Sequence, residues 1–300
     1  MESGHATSLQ VRTVDAADRA AVARKCGINF ADSPAGQVEC LEAQNKKQAV
    51  GYLALAWSGG GNVWLWGPKI TTRGTESTSK VARILLAEAN KRIALRKATL
   101  AQVMLNPTQE DEANWYAESG YDTRIMLELL TRPLTGNQPQ LPNSAEASFD
   151  WNSIAYAPRC HARFLRALAG SYAESADCLA LHRQSDPEMT LADFRSTPEF
   201  NPTLWRLFES GTEDTGCLLL NHHPDEAALE IAYLGFKPSY RGCGWGQRAM
   251  SVAFSEASRL DCQRINVGVD AQNTAAQRLY ARWGFWCFSQ QQVLIRTVNA

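Results

Sequence analysis

The feature that most restricts the fold of this chain is an internal repeat. Lys69 corresponds to Lys237, Arg73 to Arg241 and Gly74 to Gly242, each pair 168 positions apart. Leu85 and Leu86 meet Ala253 and Phe254 at the same offset. Further on, Tyr116 corresponds to Tyr280 and Gly120 to Gly284, 164 positions apart. An ordered series of this kind makes each half build the same supersecondary unit. A four-residue difference in the intervening strand or its loop accounts for the slip.

The 300 residues are long enough for two domains. A boundary is visible at 131–148, TRPLTGNQPQLPNSAEAS, which has three prolines, many small polar residues and no apolar period. That is linker chemistry. We expect a first domain over 1–132, a linker over 133–148 and a second domain over 149–300.

Both halves read as mixed α and β. In the second, SIAYA, LWRLFES, TGCLLLNHH, LEIAYLGF and RINVGVDA have strand character. RCHARFLRALAGSY, TLADFRST and TAAQRLYARWG have helical spacing, and a further helix carries Ala249, Met250, Ala253, Phe254, Ala257 and Leu260 on one face. FWCFSQQQ and VLIRTV are expected to close the half as a hairpin. The first half repeats the order, from the strand LQVRTV to the strand RIMLELL. Its WLW stretch, 64–66, reads as buried strand rather than a ligand box.

Composition excludes several functions. Thirty Lys+Arg against 31 Asp+Glu give no basic excess for nucleic acid or an anionic membrane. No apolar run reaches the roughly 18 residues of a membrane span. The start, MESGHATSLQ, lacks a secretory layout, so a cytoplasmic protein is expected. The eight cysteines are scattered without a CxxC pair and read as reduced thiols, with no metal site.

The chemistry concentrates in Arg241-Gly242-Cys243-Gly244-Trp245-Gly246, which follows a strand and opens a helix. A helix N-terminus presents unpaired N–H groups and a partial positive charge. Glycines there let the backbone turn and let phosphate oxygens come close. The loop is neither a Walker loop, since no Gly-Lys-Ser/Thr follows, nor a GxGxxG fingerprint, since Gln247 stands at the last glycine.

Arg-x-x-Gly-x-Gly after a strand resembles the coenzyme A pyrophosphate loop of the GCN5-related N-acetyltransferases. Downstream, VDAQNTAAQRLYARWGF resembles that family's second signature, an Asn before a helix ending in Leu-Tyr-x-x-x-Gly-Phe. The stronger likeness covers about residues 228–296. The tandem layout is similar to two-domain members of the family, mycothiol synthase among them. The resemblance implies two tandem α/β domains, each with a mixed, mainly antiparallel sheet flanked by helices. It also implies acetyl-CoA as co-substrate and direct transfer to a primary amine of a small molecule or peptide, by a monomer or homodimer.

Carried over residue by residue, the donor site falls on Phe236, Arg241, Gly242, Cys243, Gly244, Trp245, Gly246, Gln247 and Asn273. In the family the strands on either side of the loop splay apart, and the pantetheine arm lies in the gap. Asn273 serves equally as the cap of the 274–283 helix. Tyr280 matches the general acid that faces the CoA sulfur. A phenol near pKa 10 is a weaker acid than a thiol near 8.5, so a hydrogen bond to the developing thiolate is the safer role. Glu230 matches the base that takes the amine proton, and desolvation can tune such a carboxylate upward. His222 and His223 are alternative bases in what reads as an exposed turn. Trp245 replaces a smaller residue and is expected to pack against the helix or the adenine side. Cys243 and Cys178 are candidate nucleophiles that direct transfer does not require. In the first half Glu76 and Thr78 stand opposite Gly244 and Gly246, so that copy is expected not to bind CoA. A non-catalytic acyl-CoA sensor of the same fold and a larger acyl donor are the alternatives.

Overall fold

The computed structural model describes residues 9–28, 38–71, 75–134, 151–177 and 186–298, with the backbone alone at 75–77. Arg73, Gly74, the Glu76 side chain, Cys178 and nearly all of the expected linker lie outside the described residues. The chain divides into two compact units, Met1–Arg124 with Gln292–Ala300, and Ile125–Gln291.

Unit 1 contains β1 (Leu9–Thr13), α1 (Ala16–Cys26), β2 (Val38–Asn45), β3 (Gln48–Trp57), β4 (Asn62–Ile70), α2 (Thr75–Leu95), β5 (Leu100–Leu105) and α3 (Glu110–Glu118). Strands β1 to β4 pair antiparallel in sequence, and β4 pairs parallel with β5. The parallel step needs a crossover, and α2 supplies it. Val81, Leu85, Leu86, Ala89 and Ile93 recur at helical spacing on α2 and are buried against the sheet. In the WLW stretch Leu65 is buried, but Trp66 is 40% exposed, because alternate strand residues face opposite sides.

Unit 2 takes most of β6 (Thr123–Pro133) and continues with β7 (Trp151–Ala155), α4 (His161–Tyr172), α5 (Pro187–Arg195), β8 (Arg206–Ser210), β9 (Glu213–His223), β10 (Ala228–Phe236), α6 (Trp245–Arg259), β11 (Arg264–Asp270) and α7 (Thr274–Arg282). Its strand order is β6-β11-β10-β9-β8-β7, antiparallel except for the parallel pair β10–β11. Helix α6 is the crossover here. Leu218, Leu220, Leu229, Ile231, Ile265 and Val267 form one core with α6 and α7. Cys217 and Leu219, pointing the other way, join Phe164, Leu168, Leu191 and Trp205 in a second core with α4 and α5.

One sequence expectation is corrected. The closing segments form one unbroken strand, β12 (Trp286–Thr297), and not a hairpin. The polar run Ser289–Gln292 reads as a turn, but it holds neither glycine nor proline to reverse the chain. Each compact unit draws its closing strand from the other half of the sequence. Unit 1 completes its sheet with Gln292–Thr297, antiparallel to β5, and unit 2 places Leu127–Pro133 against β11. Local alternation marks a segment as a strand but does not specify its partner.

Candidate active site

The parallel pair in unit 2 is short. Strand β10 matches β11 only over Ala228–Ile231 against Arg264–Val267. At Ala232 the register with β9 slips by one residue, so the strand bulges. A bulge bends its strand and re-aims the residues beyond it. From Tyr233 to Phe236 β10 pairs only with β9, while Gly268–Asp270 of β11 pair only with β6. A gap therefore opens between the two strands ahead of the glycine loop. Unpaired peptide groups line it, and an extended amide chain can pair with such groups as a strand would.

The loop that closes the gap is pinned by side chains. Arg241 donates from Nε to the Phe236 carbonyl (2.9 Å), from Nη1 to Glu174 (2.9 Å) and from Nη2 to Ser171 (2.8 Å) and Ala173 (2.7 Å). A guanidinium has five N–H donors, and four bonds from this one go to carbonyls around the ends of α4 and β10. Arg241 is thus a structural anchor of the loop. Lys237 and Tyr240 both reach Glu213, at 3.2 and 2.7 Å.

The three loop glycines differ in purpose. Gly242 and Gly244 have φ of +73° and +92°, and a Cβ at either would meet no atom within 4 Å. That open space before the α6 N-terminus fits a phosphate cradle. Gly246 lies inside α6, where a Cβ would stand 3.1 Å from Leu279, so this glycine lets α6 and α7 approach. Trp245 is turned into the core. It is 3% exposed and packs with Phe208, Phe236 and Tyr240. Phe236 is buried beside it, and the Gln247 side chain accepts a 2.6 Å bond from Trp283 Nε1. Cys243 is exposed, its Sγ 3.3 Å from the Arg241 carbonyl, and no imidazole is placed on it among the described residues.

Asn273 caps α7: its Oδ1 accepts from the Ala276 amide at 3.1 Å. One turn later Tyr280 is buried, and its hydroxyl has no hydrogen-bond partner among the described residues. Burial first, and then the charge of Asp177, push its phenol well above the ordinary value. Asp177 arrives from the segment after α4 and accepts the Asp270 amide at 3.3 Å. Burial lifts this carboxyl above the usual range, against hydrogen bonds from the Asp270 amide and Asn273. Nothing in the sequence flags Asp177, because it lies 93 residues from Asp270. The repeat partner of Tyr280 is different. Tyr116 in unit 1 donates its hydroxyl to the Gly67 carbonyl at 2.8 Å.

Glu230 and His223 come together on the opposite sheet face from the α6–α7 core. His223 Nε2 and Asn221 Nδ2 both lie 3.2 Å from Glu230 Oε2. Burial pushes the Glu230 carboxyl up, but bonds from His223 and Asn221 outweigh it and leave it below the usual range. The expectation of a carboxylate tuned upward is corrected by these two partners. His223 is raised in turn by Glu230. The two histidines end β9 and do not occupy a loop; polar residues ahead of Pro224 imitate a turn in sequence. His222 pairs with Leu229 and takes no part.

An α/β unit with one parallel pair that opens ahead of a glycine-turned helix has the architecture of an acyl-CoA N-acyltransferase. Residues 172–285 match the model of the acetyltransferase (GNAT) family. Mycothiol acetyltransferase of Beutenbergia cavernae is 33% identical over 134 residues, which are 40% of this chain and 44% of the relative. The Streptomyces coelicolor protein of the same name is 27% identical over 163 residues, 53% of this chain and 49% of the relative. The matches thus span about half the length of these relatives. A GCN5-related N-acetyltransferase of Sphaerobacter thermophilus shares the fold with a TM-score of 0.58 at 16% identity, over 97% of this chain and 96% of that one. A tandem GNAT protein from the clavulanic acid pathway does so with a TM-score of 0.54 at 13% identity, over 98% and 99%.

Proposed function

We propose that this chain is an N-acetyltransferase that transfers the acetyl group of acetyl-CoA directly to a primary amine, and that unit 2 performs the reaction. The observation that carries the reading is the open gap of β10 and β11, with the Gly242–Gly244 turn at one end. The first turn of α6 and the glycine turn would hold the pyrophosphate, and the gap would pair with the pantetheine amides. The amine nitrogen attacks the thioester carbonyl carbon; the C–N bond forms, the C–S bond breaks, and CoA leaves as a thiolate. Tyr280, kept protonated by burial, donates a hydrogen bond to that developing charge. The amine proton leaves through a carboxylate of the site or a water it holds.

Unit 1 does not take part as a second donor site in this reading. Its Tyr116 hydroxyl is already bonded to the Gly67 carbonyl, on the strand that corresponds to β10.

The test is a thiol-release screen of acyl-CoA donors against primary amines, including an acceptor of the mycothiol type suggested by the relatives' name. Acetyl-CoA-dependent release with at least one amine is expected. Stabilisation by acetyl-CoA without release across the panel overturns the enzyme and leaves an acyl-CoA-binding module. Faster release with longer acyl donors overturns the choice of acetyl.

A further inference from the structure

A polar row crosses the middle of the unit 2 sheet. Asn221 of β9 stands opposite Glu230 of β10, Glu230 opposite Asn266 of β11, and Asn266 opposite Thr131 of β6. The row is knitted by side chains: Asn221 donates to Glu230, and Thr131 Oγ1 donates to Asn266 Oδ1 at 2.8 Å. Asn221 and Thr131 are buried, whereas Glu230, Asn266 and His223 are partly open and Gly268 beside them is exposed. A sheet interior gains nothing from such a row, since buried polar groups must be fully paired to avoid a penalty. Here the pairing is incomplete. Glu230 Oε2 takes both of its donors, and Oε1 takes none among the described residues. Asn266 uses its carbonyl oxygen, and its Nδ2 donates to nothing among the described residues. One carboxylate oxygen and one amide N–H₂ are thus left as neighbours on adjacent strands.

The charges around this pair are Glu230 itself, His223 bonded to it, Glu199 at 4.0 Å from His223 Nδ1, and Glu226, which also acts on His223 but is bound by Arg264. Two carboxylates around one imidazolium leave a net negative site.

Resting on the transferase reading, we propose that Glu230 binds the acceptor's amino group, with His223 as its positioning residue and Asn266 as the donor that selects an oxygen on a neighbouring carbon of the acceptor. The substrate class is a primary amine with a hydroxyl or carbonyl oxygen close to it. Cβ atoms on neighbouring strands stand about 5 Å apart, which suits an ammonium and an oxygen on adjacent carbons. His223 acts only through Glu230: it occupies Oε2, leaves Oε1 without a donor among the described residues and helps to keep the carboxylate charged.

The probes are trans-2-aminocyclohexanol and cyclohexylamine, which share a ring and differ by one hydroxyl. KM is measured for each, or Ki against another acceptor where a probe is not acetylated. Wild-type protein is expected to prefer the amino alcohol by roughly tenfold, the scale of one hydrogen bond in a partly buried site. Asn266→Leu should level the pair. Glu230→Gln should weaken both by at least about tenfold while acetyl-CoA still raises the melting temperature. His223→Gln keeps a hydrogen-bonding side chain but removes the charge. The acid limb of kcat/KM should then move to higher pH, because the His223 bond no longer holds Glu230 below the usual carboxylate range. No preference in wild type, an acid limb unmoved in His223→Gln, or binding of neither probe overturns the proposal. Failure of the transferase reading shows separately, as absent thiol release with every amine.

Discussion

Tyr116 and Tyr280 hold the same place in the two halves, and the contrast between them is the sharpest residue-level argument in the chain. Removing the Tyr280 hydroxyl takes away no hydrogen bond among the described residues, so Tyr280→Phe should leave stability and acetyl-CoA binding intact. Turnover should drop by roughly 10²–10⁴-fold, the range of a general acid or its hydrogen-bonding equivalent. Tyr116→Phe should do the reverse, leaving the Gly67 carbonyl without its donor at about 1–3 kcal/mol and turnover unchanged. Steady-state thiol release and thermal melts on both variants decide it; a stability loss confined to Tyr280→Phe refutes the assignment. The buried and half-buried phenols share a second consequence. Burial raises Tyr116, Tyr121, Tyr172, Tyr233 and Tyr280, so the native state holds these protons after the unfolded chain has lost them near pH 10. Half-buried Cys26 and buried Cys217, both pushed up to about 12, add to the effect from a lower starting point. Their stabilisation is complete below the unfolded values and is lost as pH rises through the native ones. Melting temperature should therefore fall steadily above about pH 9, and a flat profile to pH 11 contradicts the burial.

At the scale of elements, the sequence was most legible where one local signal sufficed. The apolar stripe of α6 from Ala249 to Ala257 is buried as its spacing requires, and the glycines end or turn the chain where they stand. What was not legible depended on pairing across strands. The Ala232 bulge, which opens the gap, is a property of the β9–β10 register and leaves no mark in EIAYLGF. Asn221 and His223 did leave a mark, two polar residues at period 2 within β9, but the following Pro224 made them read as a turn. The loop can be tested as an element. Gly244→Glu forces a side chain into φ of +92° and sets a carboxylate in the cradle; acetyl-CoA should no longer raise the melting temperature. Gly246→Ala meets only the movable end of Leu279, and should keep that shift while lowering the melting temperature slightly. If Gly244→Glu retains the donor-induced shift, the pyrophosphate does not sit at this loop.

For the whole molecule, the repeat explains why two similar sheets form but not which strand completes each. RIMLELL and VLIRTV carry equivalent alternation, so either could finish either sheet on local grounds. In unit 1 the finishing strand is Gln292–Thr297, whose Val293, Leu294 and Ile295 are no more than 3% exposed. Burying each such side chain contributes about 1.5–3 kcal/mol, and a domain's whole stability is about 5–15 kcal/mol. Ending the chain at Gln291 should therefore unfold unit 1, although the entire first half of the sequence is still present. Strand β5 would become an edge, held only by the short parallel pairing of Asn62–Leu65 with Leu100–Val103. Hydrogen exchange should show lost protection in β2 to β5 and retained protection in β9 to β11, whose pairings lie within unit 2. A peptide of residues 286–300 added in trans should restore protection to β5 first, since it supplies the missing antiparallel ladder. Full protection of β5 in the shortened chain would mean that the first half completes its own sheet after all, and that the repeat marks independent domains.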